Sequence, residues 1–211
     1  MVIDQATLNP AQPNIYVTHI LSEVEAVVGH DVLTLILVKA GLPHLINNFP
    51  TQNSQKDISF NKFSSLMQSI ETQLGNKAGR KITRKAGKKV FPYILECYGK
   101  QNGVSKRVLD LVPEEKKLSI GLSALVKLSN EVGDQNLSLE EDTMNYYIRV
   151  ERCATCWGRN HATEPVCDIF VGFLEAGVNW LCDGVNHAIK EIECKAQGDE
   201  ACVFSISKRS L

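Results

Sequence analysis

A change in hydrophobic periodicity near residue 137 constrains the fold of this chain more than any other feature. Before it, apolar residues recur at three- and four-residue intervals in segments that end near Gly29, Gly41, Gly75 and Gly133, which is typical of amphipathic helices. After it, stretches of alternating apolar and polar residues indicate half-buried strands. Helices followed by hairpins predict an α+β fold, with the N-terminal helices packed on one face of an antiparallel sheet.

Glycine and proline residues delimit the predicted elements. Apolar residues at helical spacing predict helices over 15–28, 32–40, 58–74, 104–111, 113–132 and 169–181. Pro92 is expected to break the apolar run 90–98, because proline removes a helical hydrogen bond. Alternation predicts two hairpins, in which 137–139 pairs with 144–150 and 187–194 pairs with 202–206.

The composition indicates one globular domain. With 211 residues, 44% of them hydrophobic, the chain can bury roughly 70% of the surface that its unfolded form exposes. The polar residues 1–13, with two prolines, are expected to form an N-terminal arm, and residues 14–211 a single domain. A formal net charge of −1 gives no general argument for nucleic-acid or membrane binding. Since no signal-peptide pattern and no apolar run of roughly 20 residues are present, the sequence predicts a soluble cytoplasmic protein.

Six of the seven cysteines lie in the last third of the chain, where thiols and a carboxylate can converge. In a reducing cytosol, clustered cysteines indicate metal ligands, reactive thiols or small buried hydrophobes rather than disulfides. Cys194 and Cys202 flank the turn at Gly198, and Glu191 precedes Cys194 by three residues. That spacing places Glu191 on the opposite face of a regular strand, so the carboxylate joins the thiols only near a β-bulge or a strand end. Zinc accepts such donors, and Cys167, at a helix start, is the best fourth ligand.

Other interpretations of the cysteines stay open from the residues alone. The last hairpin can equally pin two strands together without binding a metal. Cys153 and Cys156 form a separate CxxC with no second CxxC nearby, so an ordinary buried or exposed pair is an equal alternative to a site. Cys97 and Cys182 are expected to lie in the core, because free cysteine is often fully buried. No histidine is placed beside a thiol as a base, and we assign no catalytic residue.

The C-terminal part of the chain resembles the 4-vinyl reductase domain family. The resemblance is carried by VGFLEAG at 171–177, by EIECKAQGDEACVF at 191–204, and by Cys167 after the turn at Pro165. The second stretch has the acid, cysteine, glycine, cysteine and aromatic order that ends the family's domain. The match is clear over residues 137–208 and rests on helix order and glycine positions before them.

This resemblance implies a fold, an assembly and a metal site. The implied fold is the ligand-binding fold shared with TRAPP trafficking subunits and haem nitric-oxide sensors, and the usual assembly is a homodimer. In related aromatic-sensing activators, a cysteine before the helix and a Glu-x-x-Cys-x7-Cys motif hold zinc. Those positions are here Cys167, Glu191, Cys194 and Cys202. With four protein ligands, the implied zinc site is closed and structural.

The resemblance also predicts a binding or carrier protein for a small hydrophobic molecule. The expected ligand is a tetrapyrrole intermediate of bacteriochlorophyll biosynthesis, since stand-alone relatives act in photosynthetic bacteria. The predicted pocket lies between the sheet and the helices. Its lining residues are Tyr146, Ile148, Phe170, Phe173, Leu174 and Trp180.

Two alternative functions stay open at this point. One is a tetrapyrrole-pathway enzyme, a 4-vinyl reductase, although no GxGxxG motif follows a strand to hold a nicotinamide or flavin. The other is a regulatory or scaffold module. In that case the basic residues 77–89 contact phosphates, an acidic partner or tetrapyrrole carboxylates, unless they form a solvated helix face.

Overall fold

Seven α-helices and a four-stranded antiparallel sheet share one hydrophobic core in the computed structural model, which describes residues 9–99 and 105–211. This arrangement confirms the predicted α+β fold. The helices are α1 (Asn14–Val28), α2 (His30–Lys39), α3 (Phe60–Leu74), α4 (Asn76–Ile94), α5 (Lys106–Leu109), α6 (Glu114–Val132) and α7 (Asp168–Leu181). The strands are β1 (Ala11–Gln12), β2 (Ile58–Ser59), β3 (Leu137–Glu141), β4 (Asn145–Val150), β5 (His187–Glu193) and β6 (Cys202–Ser210).

The main sheet has the strand order β3-β4-β6-β5. Its two hairpins, β3–β4 and β5–β6, are joined by antiparallel pairing of β4 with β6. Tyr146, Ile148 and Val150 of β4 are buried and their neighbours are half-buried, as expected for a strand with one face on the core. On this face Phe204 of β6 packs edge-to-face on Phe170 of α7, with ring centroids 4.8 Å apart.

A small second sheet fastens the beginning of the described chain. β1 pairs antiparallel with β2, and the Ala11 N–H donates to Asp134 Oδ2 at 3.0 Å. Residues 1–8 of the predicted arm lie outside the described residues. The boundary at residue 14 between an arm and a single domain therefore stays a prediction.

Helices α4 and α7 cross at two glycines. A Cβ atom on Gly172 would lie 1.9 Å from the Arg84 carbonyl oxygen, and one on Gly87 would lie 2.0 Å from the Ile169 carbonyl oxygen. Only glycine allows backbones to approach this closely, so these contacts fix the positions of the two helices relative to each other. The crossing fixes the N-terminus of α7, which Cys167 immediately precedes.

The predicted break at Pro92 is not present, because α4 continues through this proline to Ile94. A proline inside a helix costs about 3 kcal/mol of unfolding free energy. The buried side chains of Val90, Phe91 and Ile94 around it offset that cost. Beyond Ile94 the helix widens into a π-helical turn over Leu95–Gly99. Within residues 9–99 and 105–211, none of the helices has the length and apolar character needed to cross a membrane.

Candidate metal centre

A register shift in the last hairpin brings Glu191 to the cysteines. β5 pairs with β6 irregularly between Glu191 and Glu193, which lie opposite Phe204 and Val203. This bulge supplies the local irregularity that the Glu191–Cys194 spacing requires. The Glu191 side chain turns toward α7, where its Oε2 accepts a hydrogen bond from the Cys167 backbone N–H at 2.8 Å.

The structure brings the four predicted zinc ligands together. The Cys167 Sγ atom lies 4.0 Å from Cys194 Sγ and 3.9 Å from Cys202 Sγ. One donor atom each from Cys167, Glu191, Cys194 and Cys202 lies within 4.8 Å of the other three. Zinc–sulfur bonds of about 2.3 Å imply edges of about 3.8 Å between sulfurs in a tetrahedral site. The observed separations match that spacing.

Cys153 and Cys156 lie in the same cluster, which the sequence reasoning missed. The Sγ atoms of Cys153 and Cys167 are 3.5 Å apart, and those of Cys156 and Cys202 are 3.4 Å apart. Both residues are buried in the connection between β4 and α7. The CxxC spacing is typical of a metal site. However, the cysteines that these two residues contact, Cys167 and Cys202, lie 14 and 46 positions further along the sequence.

The connection that carries this CxxC is anchored on both sides of the cluster. Arg159 forms a two-pronged salt bridge with Glu71 of α3, with N–O distances of 3.0 and 2.6 Å. The Ala162 N–H donates to the Ala196 carbonyl at 2.9 Å, and the Trp157 ring packs edge-to-face on Phe60. These contacts hold the CxxC over the last hairpin.

The remaining two cysteines lie outside the cluster. Cys182 is half-buried and packs against the core. The prediction of a core position for Cys97 is wrong, because this residue is exposed on the π-helical turn that follows α4. The widened turn rotates Cys97 toward solvent, away from the packed face of the helix.

Without a cation, the buried donors cannot all be deprotonated. Burial, and then the charge of Cys194, raises the pKa of Glu191 to about 9. Hydrogen bonds from the thiols of Cys156, Cys167 and Cys202 lower the pKa of Cys194, whereas burial and the neighbouring thiols raise the pKa of Cys167. The buried Glu191 Oε1 has no hydrogen-bond partner. A divalent cation would favour the deprotonated form of every donor and would give this oxygen a ligand role, so the donor set fits a metal ion.

All of these donors fall within residues 146–208, which match the family model of the 4-vinyl reductase domain. The resemblance carried by the C-terminal motifs is therefore confirmed over that segment. No curated protein matches the chain significantly in sequence.

Solved H-NOX structures share this fold over about 95% of the chain. The Fe(II) unliganded H-NOX protein from K. algicida aligns with a TM-score of 0.59 at 16% identity, over 94% of this chain and 97% of that protein. The S. oneidensis H-NOX protein in the Fe(II)NO state aligns with a TM-score of 0.58 at 14% identity, over 95% of this chain and 99% of that one. An H-NOX structure from work on heme distortion gives 0.56 at 14%, over 95% and 97%. At these identities the likeness shows a common fold.

The six predicted ligand-lining residues do not line one cavity. Phe170 and Phe173 line a crevice of about 40 Å³ beside Tyr16. Trp180 lines a groove of about 690 Å³ on the surface, and Tyr146 lines a separate cavity of about 320 Å³. Ile148 and Leu174 are buried in the core.

The groove at Trp180 is the larger apolar space of the three. It lies between the C-terminal ends of α4 and α7, and Phe91, Pro92, Leu95 and Ala176 form its apolar walls. Charged residues stand at its rim, namely Glu96, Lys106 and Asp183, of which the last two form an ion pair.

The basic residues 77–89 of α4 divide into two groups. Arg80 pairs with Asp168 at 2.5 Å, and Arg84 pairs with Glu175 of α7 at 2.5 Å. Lys88 pairs with Glu175 at 3.1 Å. These three cations therefore stabilise the helix crossing. The other four basic residues are exposed on α4, namely Lys77, Lys81, Lys85 and Lys89.

Proposed function

We propose that this protein binds or carries a small apolar molecule in the groove between α4 and α7. We also propose that a zinc site stabilises its C-terminal hairpin. The groove carries the first part of the proposal. Its volume of about 690 Å³ lies within the range of about 300–1,000 Å³ that is typical of small-molecule sites. An aromatic side chain, Trp180, in a mostly apolar wall with a charged rim has the composition of such sites.

A tetrapyrrole intermediate of bacteriochlorophyll biosynthesis is the ligand that we propose, which connects the protein to photosynthesis. The family resemblance supports this class. Work on H-NOX proteins, which share the fold, describes heme, itself a tetrapyrrole. The groove is large enough for a pigment of that kind, whereas the crevice of about 40 Å³ at Phe170 and Phe173 is not. Lys106 at the rim is a suitable partner for a carboxylate of the pigment.

The zinc site that we propose is held by Cys167, Glu191, Cys194 and Cys202. Four protein ligands leave no open position, so the ion would be structural. It would join the start of α7 to both strands of the last hairpin. The unpartnered Glu191 Oε1 and the sulfur separations of 3.9 and 4.0 Å support this assignment.

A homodimer and a cytoplasmic location complete the proposal. Leu35 and Val38 lie one turn apart on α2 and are both exposed, which supplies an apolar surface for a second copy. The clustered, unpaired thiols favour a reducing compartment. Light scattering coupled to size-exclusion chromatography tests the assembly, and a monomer at micromolar concentration would contradict it.

Titration with Mg-protoporphyrin IX and with small aromatic compounds tests the binding function. We expect the pigment's absorption bands to shift and to saturate at one pigment per chain. W180A should weaken binding roughly tenfold or more, because truncation of an aromatic residue that dominates a binding site typically costs about 2 kcal/mol or more. W157F is the matched control, because Trp157 packs on Phe60 beside the cysteines and does not line the groove. The absence of any spectral or thermal shift with all of these compounds would refute the proposal.

A further inference from the structure

The cysteine cluster offers two overlapping sets of four donors. The first set is Cys153, Cys156, Cys167 and Cys202, and the second is Cys167, Glu191, Cys194 and Cys202. Within each set, all donor atoms lie within 4.8 Å of one another. Cys167 and Cys202 belong to both sets. We propose that the centre is binuclear, with one zinc ion in each set and with the thiolates of Cys167 and Cys202 bridging the two ions.

The sulfur positions support a shared edge between two tetrahedral sites. The bridging candidates, Cys167 and Cys202, are 3.9 Å apart, close to the edge of about 3.8 Å expected for tetrahedral zinc thiolates. Cys153 lies 3.5 Å from Cys167 and Cys156 lies 3.4 Å from Cys202. Cys194 lies 4.0 Å from Cys167. The CxxC therefore contacts both bridging sulfurs, one through each of its cysteines.

The number of donors also favours two ions over one. A single tetrahedral zinc takes four ligands, so two of the six buried donors would not bind the ion. Two tetrahedral ions need eight metal–ligand bonds. Four donors that bind one ion and two that bridge supply all eight, and every donor in the cluster is then used.

The surroundings partly balance the charge of such a centre. Five thiolates and one carboxylate carry six negative charges, against four positive charges on two zinc ions. The Lys195 backbone N–H points at the bridging Cys202 Sγ at 3.5 Å. Cys167 stands at the N-terminus of α7, where the helix dipole favours negative charge. Both compensating groups lie on the two bridging residues.

The inference rests on the zinc site proposed above and adds a second ion to it. Bridging thiolates are established zinc chemistry, since six cysteines hold two zinc ions in the Zn₂Cys₆ module. The two rivals are one ion bound by four thiolates of the first set, and an iron–sulfur cluster held by the same cysteines. They differ from the binuclear zinc centre in the number or the kind of metal atoms per chain.

Native mass spectrometry with elemental analysis counts the metal in protein expressed with added zinc. We expect two zinc ions in the wild type, one in C153S/C156S and one in E191A/C194S. C97S/C182S is the matched control, because it also removes two cysteines but neither belongs to the cluster. It should keep both ions. If a variant fails to fold, the wild-type count alone decides between one ion and two.

The outcomes separate this inference from the proposed function. One zinc in the wild type that C153S/C156S keeps and E191A/C194S loses would overturn the binuclear centre and leave the proposed structural zinc intact. One zinc lost only in C153S/C156S would overturn the binuclear centre and also the proposed ligand set. Iron with inorganic sulfide, or no metal at all, would likewise overturn both.

Discussion

The α4–α7 crossing and the cysteine cluster are adjacent, but their buried groups are satisfied in different ways. At the crossing, glycines allow backbone contact, and Arg80 and Arg84 pair with the acids of α7. In the cluster, thiols face thiols at 3.4–4.0 Å, and the Glu191 Oε1 has no partner. The crossing can therefore form from the contacts of the chain alone, whereas we propose that a cation completes the cluster. Consecutive residues join the two regions, because Cys167 belongs to the cluster and Asp168 to the crossing.

C167S tests the cation requirement and has the largest expected effect. The substitution removes a ligand common to both donor sets, and a structural zinc site contributes on the order of 10 kcal/mol to folding in small domains. Since 1 kcal/mol corresponds to about 2–4 °C in a chain of this size, loss of that contribution should lower Tm by roughly 20 °C or more. Thermal unfolding with and without a chelator measures this effect. C182S should behave as the wild type, and a chelator that leaves the wild-type Tm unchanged would contradict the account.

R159M tests the anchor of the CxxC. It leaves the buried Glu71 carboxylate without its partner, which costs about 3–5 kcal/mol of unfolding free energy. The double variant E71L/R159M should recover most of this loss, because no unpaired charge remains. K127M, at the exposed Lys127–Glu131 pair, is the control, with an expected change of at most about 1 kcal/mol. Urea unfolding measures all three, and equal losses in R159M and K127M would refute the role of this anchor.

G172A tests the crossing by steric conflict. The added methyl group would meet a backbone carbonyl that cannot rotate away, so we expect a loss of about 2–3 kcal/mol. The loss should be the same in zinc-loaded and chelated protein, because the crossing does not depend on the ion. G177A is the milder control, since its methyl group would meet movable side chains of Leu125 and Phe91. If the loss of unfolding free energy in G172A disappears after chelation, the crossing also depends on the ion, and the distinction between the two regions is wrong.

E175Q tests the charge pairs of the crossing and has the smallest expected effect. Burial alone would raise the pKa of Glu175, but hydrogen bonds from Arg84 and Lys88 outweigh it and lower that pKa. The pairs therefore add stability above the unfolded-state pKa of about 4.3, and the addition is lost as pH falls through the lower folded-state pKa. Because Arg84 is partly exposed, we expect less than about 1 kcal/mol.

The measurement is the difference in unfolding free energy between the wild type and E175Q from pH 6 to pH 3. Taking this difference removes the effect of any zinc loss that both proteins undergo on acidification. The difference in unfolding free energy should shrink toward zero as pH falls. A difference that stays constant over this range would show that the charge of Glu175 adds nothing to the crossing.

The sequence predicted the parts that depend on local pattern. Periodicity placed six of the seven described helices and both hairpins but did not predict α4. The Glu191–Cys194 spacing predicted a β-bulge or a strand end, and the structure has the bulge. The sequence did not place Cys153 and Cys156 in the cluster. The segment between β4 and α7 that carries them has no periodicity, and its path is set by distant contacts such as Arg159 with Glu71. The helix crossing at Gly87 and Gly172 was also not predicted, since a glycine inside a helix does not indicate which other helix packs against it. The predicted helix break at Pro92 was wrong, because core packing outweighed the tendency of proline to end a helix.

The central proposal is that buried thiolates between residues 146 and 208 hold zinc. X-ray absorption at the zinc edge on the purified wild-type protein tests it most directly. The account predicts a first shell dominated by sulfur at about 2.3 Å with a minor oxygen contribution. In the binuclear form it also predicts a second zinc within about 4 Å. A first shell of nitrogen and oxygen alone, or protein without zinc after expression in zinc-supplemented medium, would contradict the account.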